Sequence, residues 1–427
     1  MDFGHSSHAQ ALCGQLDAFM QRYLLPYNAA WHASVANGIY PPPFLEDLKA
    51  LAREEGLWNL FLPGLRPDEP GTRLSNLDYA PLAEAMGRLP WAAEVFNCSA
   101  PDTGNMELLH RFATPAQRER WLTPLLDGKI RSAFAMSEPD VASSDPTNLQ
   151  ATVRREGGQL VLNGRKWFIT GAAHPNCKLL VAMCRNDDST QAEAHGKHSM
   201  VLLPLETPGV QVVRNIPVLH YHAPEGHCEI LFRDVRVPAD QLLGEWGQGF
   251  AMAQARLGPG RVHHCMRTVG QCELALELLT QRALERHAFG QYLAGFSNVQ
   301  EWIAESRIEI DQARLLVLHA AWLLDQGTAA GARLRAQVAA IKMVAARLQT
   351  RVVDRAMQAF GAMGLSPDTP LAYFWTWGRA LHLMDGPDEV HLRTVARYEL
   401  AQSRERGGAT AAWFTTPEQM LAPPRIR

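Results

Sequence analysis

Several absences narrow the possibilities first. The seven cysteines, at positions 13, 98, 177, 184, 228, 265 and 272, include no Cys-x-x-Cys pair and no spacing that builds a zinc site. That leaves no metal ligand set to propose and points to a reduced, cytoplasmic setting. No stretch approaches the roughly 20 apolar residues of a membrane-spanning helix. The opening residues MDFGHSSHAQ lack the basic start and apolar run of a secretory leader. The closing Arg425, Ile426 and Arg427 differ from the tripeptide that addresses proteins to peroxisomes. Charge of one sign is missing as well: 41 Lys and Arg stand against 44 Asp and Glu, for a net charge of −3. Nucleic-acid binders usually carry a basic excess, so nucleic acid is a poor partner for this chain.

What is present is globular material in quantity. With 427 residues, 47% of them hydrophobic, the chain can bury a large core, and its length suggests two or three folding units. Its texture changes twice. Over residues 1–133 it reads as helical: Leu12, Leu16, Phe19, Met20 and Tyr23 recur at helical spacing, as do Leu45, Leu48, Leu51 and Ala52. Pro41, Pro42 and Pro43 punctuate between them, and Thr114 before Pro115 marks another helix start. Over 134–245 it reads as β structure, with short apolar runs at Leu160 to Leu162, Leu179 to Met183, Met200 to Leu205 and Glu229 to Phe232. Turns are expected at Gly157-Gly158, Asn163-Gly164 and Pro208-Gly209, the second as a tight hairpin turn. Over 246–427 three long stripes return to helical spacing. These are Val269, Cys272, Leu276, Leu279 and Ala283; then Val299, Trp302, Ser306, Ile310, Ala313, Val317 and Ala320; then Val338, Ile341, Ala345, Leu348, Val352, Ala356 and Phe360. Such stripes are core positions of an antiparallel helical bundle. The fold class expected is α+β.

Five short segments carry chemistry. Phe134 to Asp145 reads FAMSEPDVASSD, a loop of small residues that lets backbone N–H groups approach a ligand, with the hydroxyls of Ser137, Ser143 and Ser144 available to donate. Lys166 to Gly171 reads KWFITG and offers an aromatic face. Leu257 to Arg261 reads LGPGR and opens the bundle. Arg286 to Gly290 reads RHAFG, with an arginine whose planar fork suits a phosphate. Met384 to His391 reads MDGPDEVH and is acidic. Four of them have a plain structural reading when taken singly: a boundary turn for the first, core aromatics for the second, a solvated arginine for the fourth and an acidic helix start for the fifth.

In this order and at this separation the segments resemble the acyl-CoA dehydrogenase family over about residues 40 to 400. The similarity is greatest to the branch related to family members ten and eleven, whose animal forms carry a further phosphotransferase-like domain without counterpart here. The resemblance implies a helical N-terminal domain, a middle β-barrel or sandwich domain and a C-terminal four-helix bundle. It implies FAD held by Phe134, Met136, Ser137, Ser143, Ser144, Phe168, Ile169, Thr170, Arg286, Phe289, Gln358, Gly361, Ala362, Pro387, Asp388 and Glu389. Phe168 takes the place of the usual Trp, the Thr170 hydroxyl lies beside flavin N5, and Arg286 meets the pyrophosphate. Arg286 and the run from Gln358 to Gly364 normally serve a neighbouring subunit's cofactor, which implies a homodimer or homotetramer. Ser144, Gly258, Pro259, Gly260, Arg261 and Gly386 would meet an acyl-CoA substrate, and an electron-transfer flavoprotein would take the electrons.

The catalytic base implied is Asp385, because the family's base is the acid before Gly in a Tyr-Glu-Gly-Thr run. Removing a proton next to a thioester carbonyl needs such a carboxylate and stabilisation of the enolate oxygen, with the β-hydride passing to flavin N5. An alternative base position near Gly260 holds no acid. Two departures stand out: the base is Asp rather than Glu, one methylene shorter, and Phe296-Ser297 replaces the usual His-Gln before Trp302. His263 and His264, adjacent on a helix, point to different faces and are read as structural or polar-lining. Two rival readings share this fold: a flavin oxidase using an Asp base on a non-CoA substrate such as a nitroalkane, and a non-catalytic flavin-containing nucleic-acid-binding relative. The mixed charge of residues 250 to 427 counts against the second.

Overall fold

The computed structural model describes residues 2–187, 196–406 and 413. The tail ending in Arg425, Ile426 and Arg427, and with it the end of the expected bundle segment, lies outside the described residues.

The N-terminal part is helical: α1 (Ser7–Phe19), α2 (Asn28–Ala36), α3 (Leu45–Glu54), α4 (Asn76–Gly87), α5 (Ala92–Val95), α6 (Asp102–Phe112), α7 (Pro115–Gln117) and α8 (Thr123–Leu126). Side-chain caps start several of them. The Ser6 hydroxyl accepts from the Ala9 N–H and the Ser75 hydroxyl from the Asp78 N–H, each satisfying an orphan donor of the first turn. At Thr114 the side chain accepts from the Gln117 N–H while Gln117 reaches back to the Thr114 N–H, with Pro115 at the first helical position. Leu12, Leu16, Phe19, Met20, Leu45, Leu48 and Ala52 are all buried, as their spacing predicts.

Eight strands form one sheet: β1 (Arg131–Ala135), β2 (Thr152–Glu156), β3 (Gln159–Thr170), β4 (Cys177–Asn186), β5 (His198–Pro204), β6 (Val210–Asn215), β7 (His227–Pro238) and β8 (Leu242–Leu243). The order is β6-β7-β3-β2-β4-β5-β8, with β1 parallel to β4. Gly157-Gly158 turns β2 into β3, both glycines at positive φ, and Gly209 lies in the β5–β6 connection at φ +91°. The tight turn expected at Asn163-Gly164 is not there. Both residues lie within β3, where the register against β7 shifts between Leu162 and Gly164. Gly164 has φ +142°, and a Cβ on it would stand 2.5 Å from that of Ala151, so the glycine serves a bulge and a close approach rather than a hairpin.

Four long helices, α9 (Gly249–Glu285), α10 (Ser297–Asp325), α11 (Gly331–Phe360) and, after the shorter α12 (Leu371–Leu381), α13 (Asp388–Glu405), make the C-terminal bundle. The three apolar stripes lie almost wholly in the core, with Trp302 and Phe360 half-buried. α9 departs from the sequence reading. It begins at Gly249 and carries Gly258-Pro259-Gly260 inside it, so this run does not open the bundle. Pro259 removes one helical hydrogen bond, and Cβ atoms on Gly258 and Gly260 would meet nothing within 4 Å. The helix therefore presents a bare stretch to the space beside it.

Two contacts fix that space. α4 lies on α9 at backbone distance: a Cβ on Gly87 would stand 2.1 Å from the Arg267 carbonyl oxygen, and one on Gly270 would stand 1.8 Å from that of Glu84. The buried Arg131 of β1 pairs with Asp102 at the start of α6 and with Glu94 of α5, tying the sheet to the helical part. Among the described residues no helix is long and apolar enough to cross a membrane.

Candidate active site

The helical part, the sheet and the bundle meet around one cleft of about 1750 Å³. On the sheet side its wall is the loop after β1 together with the end of β3. The loop is pinned from beneath. Glu138 is buried and accepts from the N–H groups of Gln150 and Ala151 and from Lys166 Nζ, which also donates to the carbonyls of Met136 and Met183. The Trp167 N–H donates to the Ser137 carbonyl at 3.0 Å. These bonds place Phe134, Met136, Ser137, Ser143 and Ser144 beside Trp167, Phe168, Ile169 and Thr170 on one wall. Phe168, at φ +51° where β3 shifts register, keeps 43% of its surface exposed. The Thr170 hydroxyl lies 2.9 Å from His227 Nδ1. Ser143 differs from the expectation of a free donor: its hydroxyl donates to the Glu138 carbonyl at 3.3 Å while accepting from the Glu138 N–H at 2.8 Å, and so closes the loop on itself.

The cleft is also lined by α9, through Gly258, Pro259, Gly260, Arg261 and His264, and by the connection before α13, through Asp385, Gly386 and Pro387. That connection turns through two left-handed residues, Asp385 at φ +54° and Gly386 at φ +101°. Three cationic or polar side chains hold it. Arg261 Nε donates to the Asp385 carbonyl at 2.8 Å, His391 Nε2 donates to the same oxygen at 3.2 Å, and the fully buried Lys342 of α11 donates to the carbonyls of Leu381 and Gly386. Among the described residues the Asp385 N–H has no acceptor.

The Asp385 carboxylate is about one-quarter exposed, with His264 Nε2 3.6 Å from its Oδ2. Burial pushes its pKa up, but His264, Arg261, Arg256 and Lys342 together outweigh that push and hold it below the ordinary aspartate value. Burial pulls the histidines the other way: His264, His227 and His391 are each lowered to about 4 and are neutral near pH 7. Arg256 is buried over the Phe134 ring, its Cζ 4.1 Å from the ring centroid, with Nε donating to Asn105.

The remaining expected residues lie elsewhere. Arg286, Phe289, Gln358, Gly361 and Ala362 are exposed and do not line the cleft. They cluster where α9 and α11 end together, Arg282 lying over the Phe360 ring. Asp388 starts α13 and pairs with His382 at 2.7 Å, and Glu389 is exposed; neither lines the cleft. The residues that sequence reasoning passed over are Arg256, Lys342, His227 and Trp377, whose roles depend on burial that the sequence does not display.

The donors facing the cleft fit a large polar ligand such as a flavin. His227 Nε2 is a buried cleft-lining atom with no partner among the described residues, the wall carries a half-exposed aromatic ring, and α9 is bare at two glycines. A helical domain, a β domain and a four-helix bundle share this one cleft. Family models of acyl-CoA dehydrogenases match all three parts: the N-terminal domain over residues 6–129, the middle domain over 133–235 and the C-terminal domain over 247–400. The chain belongs to the acyl-CoA dehydrogenase family, whose members are flavoproteins using FAD.

It is 52% identical to the probable acyl-CoA dehydrogenase FadE2 of Mycobacterium tuberculosis over 96% of this chain and 100% of that protein. It is 49% identical to acyl-CoA dehydrogenase family member 10 of Mus musculus over 94% of this chain but only 38% of that longer protein. Among solved structures, a putative acyl-CoA dehydrogenase from Mycobacterium abscessus superposes with a TM-score of 0.89 at 48% identity, covering 94% of this chain and 100% of the other.

Proposed function

We propose that this protein oxidises an acyl-CoA thioester to the trans-2-enoyl-CoA, as in fatty acid β-oxidation, with Asp385 as the base that takes the α-proton. The observation that carries this reading is the Asp385 carboxylate itself, held below the ordinary aspartate value by surrounding cations and lining the same cleft as Phe168 and Thr170. FAD, when bound, supplies the hydride acceptor for the β-carbon. The rest falls to the chain. The unpartnered Asp385 N–H is placed to donate to the thioester oxygen, where charge accumulates as the proton leaves. The bare face at Gly258 and Gly260 leaves room for the acyl chain along α9. As substrate fills the cleft it removes water from a carboxylate that is now one-quarter exposed. Desolvation raises the carboxylate's pKa towards that of a working base.

Phe134, Met136, Ser137, Ser144, Phe168, Ile169 and Thr170 would line the isoalloxazine and its ribityl chain, with Pro387, Asp388 and Glu389 nearby. Arg286, Phe289, Gln358, Gly361 and Ala362, remote from this cleft, would serve the cofactor of a second copy, making the assembly a homodimer or homotetramer. An electron-transfer flavoprotein is the proposed acceptor. Asp385→Asn tests the central assignment: the amide keeps the shape but cannot take a proton, so the variant should retain its flavin and lose acyl-CoA-driven reduction by ~100-fold or more.

A further inference from the structure

The proposed base has a neighbour with a definite chemical state. His264 and Arg267 lie three residues apart on α9 and so share a face. Arg267 Nη2 is 3.3 Å from His264 Nδ1. A guanidinium only donates, so Nδ1 must be the accepting nitrogen, and the proton of the neutral ring is on Nε2. Nε2 is the atom that faces Asp385 Oδ2, at 3.6 Å. A closure of about half an ångström makes this a hydrogen bond, a tightening common when a site fills.

We propose that His264, locked in its Nε2–H tautomer by Arg267, is a positioning residue for the base: it engages Oδ2 of Asp385 and leaves Oδ1 as the oxygen that receives the substrate α-proton. The inference rests on the reading of Asp385 as that base. In the step itself the substrate Cα–H bond breaks, its electron pair stays on the substrate as the enolate, and a new O–H bond forms at Oδ1. His264 keeps its own proton throughout, because Nδ1 is occupied and Nε2 already protonated.

The surroundings support a fixed, uncharged donor. Burial lowers the His264 pKa to about 4, with Arg267 adding to it, so the ring orients the carboxylate without contributing a full charge. Arg267 cannot easily swing away: its Nη1 lies 3.4 Å from the Cys98 carbonyl, and its backbone lies where α4 presses on α9 through Gly87. The other charged or titratable groups around Asp385 and His264 are Arg256, Arg261 and Cys265 of α9, Lys342 of α11, and His391 and Asp388 of α13, while Tyr79, Cys98 and Tyr373 face Arg267. Arg261 and His391 hold the Asp385 carbonyl rather than its carboxylate, which leaves His264 as the side chain nearest Oδ2. The adjacent His263 has a different fate, buried edge-on to Tyr79 and Phe61.

The test compares His264→Leu, His264→Gln and Arg267→Met with the wild-type holoenzyme, following anaerobic flavin reduction by acyl-CoA from pH 5 to 9. Removing a donor to the charged form raises the base's pKa. His264→Leu should therefore slow reduction at saturating substrate by ~10- to ~100-fold and move the acid limb up by about one pH unit, with KM changed little. His264→Gln, which keeps an N–H donor, should recover most of the rate. Arg267→Met frees Nδ1 and should shift the same limb. Wild-type rates and an unmoved acid limb in His264→Leu and Arg267→Met would overturn the proposal. Should His264→Leu lose its flavin, His264→Gln and Arg267→Met decide on the same terms. ¹⁵N shifts of the His264 ring, identified by their loss in His264→Gln, read the tautomer without any substrate; an Nδ1–H ring or an imidazolium at pH 7 also overturns it. A wild-type protein that no acyl-CoA reduces would contradict the dehydrogenase reading, and the ring shifts would still decide the tautomer.

Discussion

At the scale of single residues, groups in the site and in the core beside it are held in unfavourable states by their surroundings. Asp385 occupies a left-handed backbone position that costs on the order of 1 kcal/mol for a side chain other than glycine. Arg261, His391 and Lys342 hold it there through main-chain oxygens. Glu107 of α6 is a second such group. It is buried with one carboxylate oxygen unpartnered, and burial pushes its pKa up to about 8, Arg111 and Arg256 compensating only in part. The sign follows from linkage. Below about pH 4.5 the carboxyl is protonated both folded and unfolded. Between there and pH 8 only the unfolded chain releases the proton, so stability falls as pH rises. Glu107→Gln should flatten that slope and exceed the wild type at pH 8 by as much as ~4 kcal/mol. Urea unfolding at pH 5 and pH 8 checks this, and an unchanged slope would contradict it. Asp385 could be read from the sequence because it stands before Gly386 at the family's base position. Glu107 could not, since nothing in its local sequence tells that both its faces are covered.

Elements show the same division between what local pattern displays and what packing decides. The three bundle stripes and the helix start at Thr114 follow from side-chain spacing and the Thr-Pro signal, and both were legible, whereas the reciprocal bond from Gln117 came with the structure. Asn163-Gly164 misled because that pair favours a tight turn wherever the chain is free to make one, whereas here β7 runs alongside and the glycine is needed against Ala151. Gly258-Pro259-Gly260 misled because its residues disfavour helix, yet α9 is sustained through them by tertiary contacts on its other face, where Val262, Cys265, Met266 and Val269 are buried. α9 carries much of the site, and its position rests on glycine contacts with α4. Gly270→Ala would drive a methyl group into the Glu84 carbonyl, so the helices must part. We expect a loss of about 2–3 kcal/mol, seen as a lower thermal midpoint together with weaker flavin retention. A midpoint equal to that of the wild type would show that the helices yield without cost.

At the scale of the whole molecule, the order of helical, β and bundle segments was visible in the sequence; the loop after β1 and the end of β3 stood out there only through the family resemblance, and their sharing one cleft came with the structure. Long-range pairing was not: the meeting of His264 with Asp385 joins residues far apart in the chain. The surface where α9 and α11 end is where the proposed homo-oligomer would make contact. Phe289 is 99% exposed there, with Leu284, Tyr292, Met363 and Leu365 also largely uncovered. In the proposed homo-oligomer a cluster of this kind would be buried against the second copy. Phe289→Glu should therefore shift the protein to a smaller species in light scattering and weaken its hold on FAD. An unchanged mass with full flavin content would remove this surface from the account.

The central claim is that an acyl-CoA thioester is oxidised in the cleft with Asp385 as base. Its most direct test is anaerobic titration of the purified flavoprotein with acyl-CoAs of increasing chain length, 4-hydroxyacyl forms among them, with Asp385→Asn measured in parallel. The account predicts that one class of acyl-CoA bleaches the flavin of the wild type and leaves the yellow variant unreduced. A wild type indifferent to every thioester but reduced by a nitroalkane would contradict it, and so would an Asp385→Asn protein that is reduced as fast as the wild type.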